Sequence, residues 1–516
     1  MRKNQSRIEN SLRNMTTNFV GYFLSTFLAY ITRIFLVRYL SAEYLGINGL
    51  FSNILSMLSL AELGVGSAMG FALYKPIADN DEPRIAALMR FYKRAYQIIG
   101  CTICVVGLLM LPFIDLVIQE EPNISENLTI LYLIFLFDTV VSYFFSYKGA
   151  LLVASQRNYI TASISYVVTV VQHILQIVVL VTLKSYIPYL LVKTVGVVVN
   201  NALIAHVADK EYPFIREKDI APLDKKEKKS FFINVKALTI NKLCTILVNN
   251  TDNIVITYFN GLITTGIASN YTQLMSILTQ LVAQIYNGMT ASIGNLNAGA
   301  DNERKHDFFR MLNLSGFWVY SWAAIGLTFV STDIVRLCFG REYVLDISIP
   351  FIMAVNLYVS GINNSAYTFK NTMGLFRYGQ YLLLVTAAIN LVLDFILGRI
   401  YGLFGIYVAT VVARLLTNAW YEPYVIYKHG FHKNYRIYVL TYIKYGILFS
   451  LAMIASGWLC SLCVFSPVVN LAIKVIICTA VPFTLYWLGF HRTKEFHYMY
   501  ELLKKIVHRL VKFAKH

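Results

Sequence analysis

The chain has 516 residues, 57% of them hydrophobic and only 14% charged, where a soluble globular protein carries about 25% charged residues. With a mean hydropathy of +0.56, this composition excludes a soluble enzyme or binding module and predicts an all-α chain that crosses a membrane many times. The formal net charge of +17 concentrates in loops and ends, so it reports membrane topology and not a nucleic-acid partner.

The opening MRKNQSRIENSLRN reads like a signal n-region, but the apolar run behind it is span-length and leads straight into another, which predicts an uncleaved first span. Apolar runs of spanning length lie at 16–39, 43–73, 95–118, 128–154, 159–182, 187–208, 230–258, 264–294, 311–338, 347–373, 379–401, 402–428, 438–465 and 467–489, about 14 transmembrane helices. The closest pairs meet around 183–187, 401–402 and 466–467. Of seven cysteines, the CxxC pairs Cys101/Cys104 and Cys460/Cys463 lie inside such runs without a second ligand pair, so they read as packing residues. No cofactor and no metal site is expected.

With the N-terminus in the cytoplasm, about 31 Lys and Arg fall inside and about 5 outside, the asymmetry that orients membrane proteins. Both termini are then cytoplasmic. The predicted organisation is an N-lobe over 1–208 (spans 1–6), a cytoplasmic linker over 209–229, a C-lobe over 230–428 (spans 7–12), two further spans over 429–489 and a basic amphipathic tail over 490–516. In that tail Phe496, Met499, Tyr500, Leu503, Val507 and Leu510 oppose Lys504, Lys505, Arg509 and Lys512, a pattern suited to the anionic inner leaflet or to a partner protein.

The halves show a weak internal repeat. YLGINGLFSNILSML (44–58) aligns on TTGIASNYTQLMSIL (264–278), matching Gly46 with Gly266 and Ser56 with Ser276, and Ala78-Asp79-Asn80 returns as Ala300-Asp301-Asn302. A displacement of six spans preserves orientation, so the lobes read as parallel repeats of six helices around a central cavity, followed by two C-terminal helices.

Polar residues inside the spans carry the functional argument. Ser269, Gln273, Ser276, Gln280, Gln284 and Asn287 step by three or four residues and share one face of the eighth span. Such a stripe is costly in hydrocarbon unless it meets protein or a wet cavity. The seventh span aligns Lys242, Thr245, Asn249 and Asn253, with Asp252 on the flank; the first carries Arg33 and the second Glu62. Lys148, Lys193, Lys236, Lys370 and Arg414 stand against Asp138 and Asp394 at membrane depth. Cations outnumber anions, which suits an anionic ligand such as phosphate. The lysines lie near span ends and are within reach of snorkelling. Histidines His173 and His206 read as packing residues. The chain contains no P-loop and no nucleophile constellation, so neither direct ATP use nor enzymatic chemistry is indicated.

The segment FLVRYLSAEYLGINGLFSNILSMLSLAELGVGSAM resembles the start of Wzx-type polysaccharide-transport flippases of the multidrug/oligosaccharidyl-lipid/polysaccharide exporter superfamily. Arg38, Leu40, Glu43, Tyr44 and Gly46 fit the first family element loosely, with Leu45 inserted and Ser41 at the turn; Glu62, Leu63, Gly64 and Gly66 fit the second closely. The resemblance implies export of polyprenyl-pyrophosphate-linked oligosaccharide across a bacterial cytoplasmic membrane by alternating access, with a glycan polymerase acting downstream. It assigns pyrophosphate binding to Arg33, Lys242, Arg414, Lys148 and Lys370, and sugar binding to Ser269, Gln273, Ser276, Gln280, Gln284, Asn287 and Asn249. Asp252, Glu62 and Asp394 become the ion-coupling candidates. The competing readings are a cation-coupled multidrug antiporter, a peptidoglycan-precursor flippase of the same superfamily and a membrane glycan polymerase. The cation excess opposes the first, and the short outer loops oppose the last.

Overall fold

The computed structural model describes residues 7–59, 65–118, 123–155, 157–217, 223–224, 251–283, 301–375, 378–379 and 381–501, with the single positions 286, 293, 296 and 504. Among the described residues there is no strand. That is what a bilayer demands, because a helix satisfies its own backbone hydrogen bonds where water is absent. Seven described stretches, including Asn158–Leu183, Tyr186–Glu211, Asn302–Phe339 and Pro467–Phe490, are long and apolar enough to span.

Backbone contacts divide the chain into two compact units, Met1–Gly266 and Ile267–His516. In the first, α1 (Arg7–Tyr39) packs along α8 (Asn158–Leu183), α8 on α9 (Tyr186–Glu211), and α9 on α6 (Leu128–Phe145). There α4 (Glu82–Leu109), capped off by the short α5 (Leu111–Val117), also meets α6, while α3 (Val65–Ala78) meets α4 and α7 (Gly149–Ala154). Val167, Val171, Ile174 and Val178 of α8 are exposed along one helical line, a lipid-facing stripe. Over the predicted span 43–73 the described helices are α2 (Ala42–Leu58) and α3, with residues 60–64 outside the described residues.

In the second unit α11 (Asn302–Phe339) is the central pillar, contacting α12 (Ser348–Ile362), α13 (Asn364–Thr372), α16 (Arg436–Ser461) and α17 (Pro467–Phe490). Phe317 stacks on Tyr445 with centroids 4.3 Å apart, and Tyr358 on Phe449 at 4.2 Å, fastening α11 and α12 to α16. The tail begins on protein: Glu495 pairs with Arg310, and the Phe496 ring lies 5.9 Å from Trp318. Its basic stretch beyond Lys504 lies outside the described residues.

Two helical stretches are hairpins folded at a glycine. Helix α10 (residues 251–283) turns at Gly261 with φ of +79°, bringing the hydroxyls of Thr257 and Thr265 to 2.9 Å. Helix α14 (Leu382–Leu416) turns at Gly402, φ +56° and ψ −136°, placing Thr386 and Thr417 hydroxyls 2.8 Å apart. The positive φ explains why both turns use glycine. The second is the close junction that the sequence showed at 401–402.

Within the first unit α2 crosses α10 at backbone distance. A Cβ on Gly46 would stand 2.2 Å from the carbonyl oxygen of Leu262, and one on Gly266 would stand 2.0 Å from that of Ala42. Ala42 precedes Gly46 by one turn, as Leu262 precedes Gly266, so each glycine rests on the carbonyl one turn before the other. The two glycines matched in the internal repeat therefore meet in a reciprocal contact.

The helix caps sharpen the repeat. Asp81 accepts a hydrogen bond from the Arg84 N–H at the start of α4, and Asp301 accepts from Arg304 N–H at the start of α11, both at 3.1 Å. The same displacement separates Asp81 from Asp301 and Gly46 from Gly266, so Asp81, and not Asp79, is the counterpart of Asp301. Replacing Asp81 or Asp301 by alanine is expected to cost about 1 kcal/mol each, read as a lowered melting midpoint in detergent. An unchanged midpoint would show that neither cap contributes.

Candidate functional site

In the first unit the polar groups of the spans gather on α1, α6, α8 and α9. Half-buried Arg33 lies beside Tyr30 and Tyr189. On the adjoining turn Thr32 Oγ1 is 3.1 Å from His173 Nδ1, and Gln176 donates to the Tyr189 carbonyl at 3.4 Å. Lys193 Nζ is 4.0 Å from the carboxylate of buried Asp138. Close by, where the Tyr186 ring stacks on Tyr189 at 5.6 Å, Glu126 accepts from the Tyr44 hydroxyl, the Ser125 hydroxyl and the Tyr186 N–H, tying α2, α6 and α9 together. Tyr44 belongs to the segment that carries the family resemblance, and this bond shows its structural use.

Lys148 is paired with a carboxylate. It follows α6 in a 3-10 turn and donates to Asp209 Oδ2 at 2.6 Å, an oxygen that also accepts from Arg216 at 2.7 Å. The trio fastens the end of α9 to the turn Pro213–Arg216.

The second unit holds a polar pocket of about 120 Å³. It is lined by Ser360 of α12, Asn363 at the α12/α13 junction, Asn364 and Tyr367 of α13, Arg414 of α14, and Asn418 and Glu422 of α15 (Asn418–Val425). Lys370 Nζ donates to Glu422 Oε1 at 2.9 Å, and both residues are under 10% exposed. Asn363 Nδ2 donates to Glu422 Oε2 and to the Asn418 carbonyl, each at 3.0 Å. Arg414, Asn418 and Glu422 step by four residues in the sequence, across the non-helical Thr417 (φ −125°, ψ −90°) that separates α14 from α15. Their partners on α13 were not visible in the sequence, because periodicity fixes one helix face and not the face opposite.

In the seam of the α14 hairpin, Asp394 is fully buried. Asn390 Nδ2 donates to its Oδ1 at 3.0 Å and lies 3.4 Å from Thr410 Oγ1. The Asn390 amide thus turns its N–H groups, not its oxygen, toward the carboxylate and the hydroxyl. Among the described residues no group of three His, Cys, Asp or Glu suits a transition metal.

Of the stripe on α10, Ser269 is buried, Gln273 half-buried, and Ser276 and Gln280 exposed. Leu274, Ile277 and Leu278 on another face of that helix line an apolar groove of about 220 Å³ with Trp322 and Val330 of α11 and Val475 of α17. Asp252 is half-buried. Glu62, Lys242, Asn249, Gln284 and Asn287 lie outside the described residues.

The model of the family described as polysaccharide biosynthesis protein matches residues 11–290, more than half of the chain. The chain belongs to the polysaccharide biosynthesis protein family. No curated protein matches it. Among solved structures, the lipid II flippase MurJ in an inward closed conformation superposes with a TM-score of 0.63 at 14% identity, covering 92% of this chain and 98% of that one. An inward-facing multidrug-resistance MATE transporter reaches 0.62 at 15% identity, covering 76% of this chain and 92% of its own. A MOP-superfamily transporter from Pyrococcus furiosus reaches 0.55 at 12% identity, covering 83% and 98%. The fold is that of this transporter superfamily. This polysaccharide biosynthesis protein shares the helical fold of these transporters, with several helices long and apolar enough to cross a membrane.

Proposed function

We propose that the protein moves polyprenyl-pyrophosphate-linked oligosaccharide repeat units from the inner to the outer leaflet of a bacterial cytoplasmic membrane, with both termini cytoplasmic. The exported units would feed a polymerase that builds capsule, O-antigen or exopolysaccharide. The observation that carries the reading is a polar pocket with Arg414 in its wall, embedded in apolar spans of a polysaccharide biosynthesis family member. Such a pocket suits a ligand with a charged head and many hydroxyls. The groove between α10, α11 and α17 offers an apolar surface for a prenyl chain. Arg33 and Lys242 are assigned to the pyrophosphate, the stripe from Ser269 to Asn287 to sugar, and Arg414, among the amides of its pocket, to a hydroxyl-bearing part of the same ligand.

Native mass spectrometry of the purified protein tests this. A co-purifying polyprenyl-pyrophosphate glycan is expected in the wild type, weakened in Arg33→Ala/Lys242→Ala. An empty wild type that retains added cationic drugs would move the assignment to a multidrug antiporter. The match to the MATE transporter leaves about a quarter of this chain without a counterpart, whereas the match to the lipid II flippase runs over nearly the whole of both chains. A peptidoglycan-precursor substrate is therefore the second reading, distinguished by the glycan's mass.

Coupling is assigned to Asp394, with Asp252 and Glu62 as further candidates. In liposomes, Asp394→Asn is expected to keep substrate binding while making flipping independent of an imposed sodium or proton gradient. Retained gradient dependence would exclude Asp394.

A further inference from the structure

We infer that the pocket among α12, α13, α14 and α15 is a monosaccharide subsite, which seats one hydroxyl-rich ring of the transported glycan; this rests on the flippase reading above. The argument starts from what the pocket lacks. Asn363 is 8% exposed and commits its Nδ2 to Glu422 and the Asn418 carbonyl, a bond to a carboxylate that fixes which way the amide points. Its Oδ1 is left buried with no hydrogen-bond partner among the described residues, and Asn418 Oδ1 is in the same position. Two orphaned acceptors in one wall call for a donor.

Three donor-bearing classes compete. A cation meets the Lys370 ammonium already 2.9 Å from Glu422, and the guanidinium of Arg414 in the same wall, so it is repelled. A phosphate brings only further acceptors to the amide oxygens. A sugar hydroxyl donates to the orphaned oxygens of Asn363 and Asn418, and its own oxygen is compatible with the Arg414 guanidinium in the pocket wall. The ring of Tyr367, 50% exposed at the pocket, supplies a flat apolar face for the C–H side of a pyranose. The subsite is separate from the stripe on α10, and its residues other than Arg414 were not among those the sequence assigned to sugar or phosphate.

Isothermal titration of the full chain in nanodiscs tests this, with farnesyl pyrophosphate and its glucosyl, galactosyl and N-acetylglucosaminyl esters as probes. The wild type is expected to bind at least one glycosylated probe about tenfold tighter than farnesyl pyrophosphate, roughly the gain of one good hydrogen-bonded contact. Asn418→Ala and Tyr367→Ala should each erase that gain and leave farnesyl pyrophosphate binding unchanged, while Tyr367→Phe, which keeps the ring, retains the gain. If the variants keep the preference, the sugar sits elsewhere and only the subsite is overturned. Equal loss on both kinds of probe, or a wild type indifferent to the sugar, overturns it as well. A wild type that binds none of the probes removes the flippase reading and the subsite together.

Discussion

Alanine at Gly46 or at Gly266 is expected to destabilise the protein by about 1–3 kcal/mol and to impair transport, and the double variant should cost little more than either single change. Each new Cβ falls 2.0–2.2 Å from a backbone carbonyl oxygen, well inside contact distance. A carbonyl held in a helix cannot rotate away, so the crossing of α2 and α10 has to open as a whole. Because the contact is reciprocal, the opening forced by one methyl already makes room for the other. That predicts strong non-additivity, with a coupling on the order of 0.5–3 kcal/mol. Melting midpoints of the two single variants and the double variant measure it. Gly49 supplies the control: its Cβ would meet only the Asn253 side chain at 3.5 Å, and Gly49→Ala, which also favours the helix, should be neutral or stabilising. Additive losses at positions 46 and 266 would show that they are separate contacts.

The same pair shows how far the sequence reaches. Gly46 and Gly266 were matched as equivalent positions in a repeat, yet nothing in one-dimensional periodicity says that equivalent positions touch. Span positions followed from hydropathy because the bilayer sets helix length. The junction at 401–402 was legible because no apolar run of that length crosses once, and Gly402 at positive φ closes it. Polar faces such as Asn390/Asp394 could be read from spacing. Pairings could not: Lys148 with Asp209, and Lys370 with Glu422, join residues 61 and 52 positions apart. Which cation is spent on a carboxylate and which remains for a ligand is decided by tertiary contacts alone.

Lys370 makes that distinction measurable. Its ammonium and the Glu422 carboxylate are both buried, so Lys370→Met is expected to leave an uncompensated charge and cost about 3–5 kcal/mol. Glu422→Met should cost a similar amount for the same reason. The double variant Lys370→Met/Glu422→Met removes both charges and keeps most of the volume, and it should recover most of the stability. Lower melting midpoints for both single variants, with recovery in the double, would establish that the lysine's charge serves the pair. If Lys370 instead anchored pyrophosphate, its replacement would leave the melting midpoint near wild type and weaken binding of farnesyl pyrophosphate. The double variant carries a second readout, because Asn363 then loses the carboxylate that orients its amide. A protein that melts like wild type yet no longer prefers the glycosylated probe would assign the ion pair to the shape of the sugar pocket; a retained preference would confine it to stability.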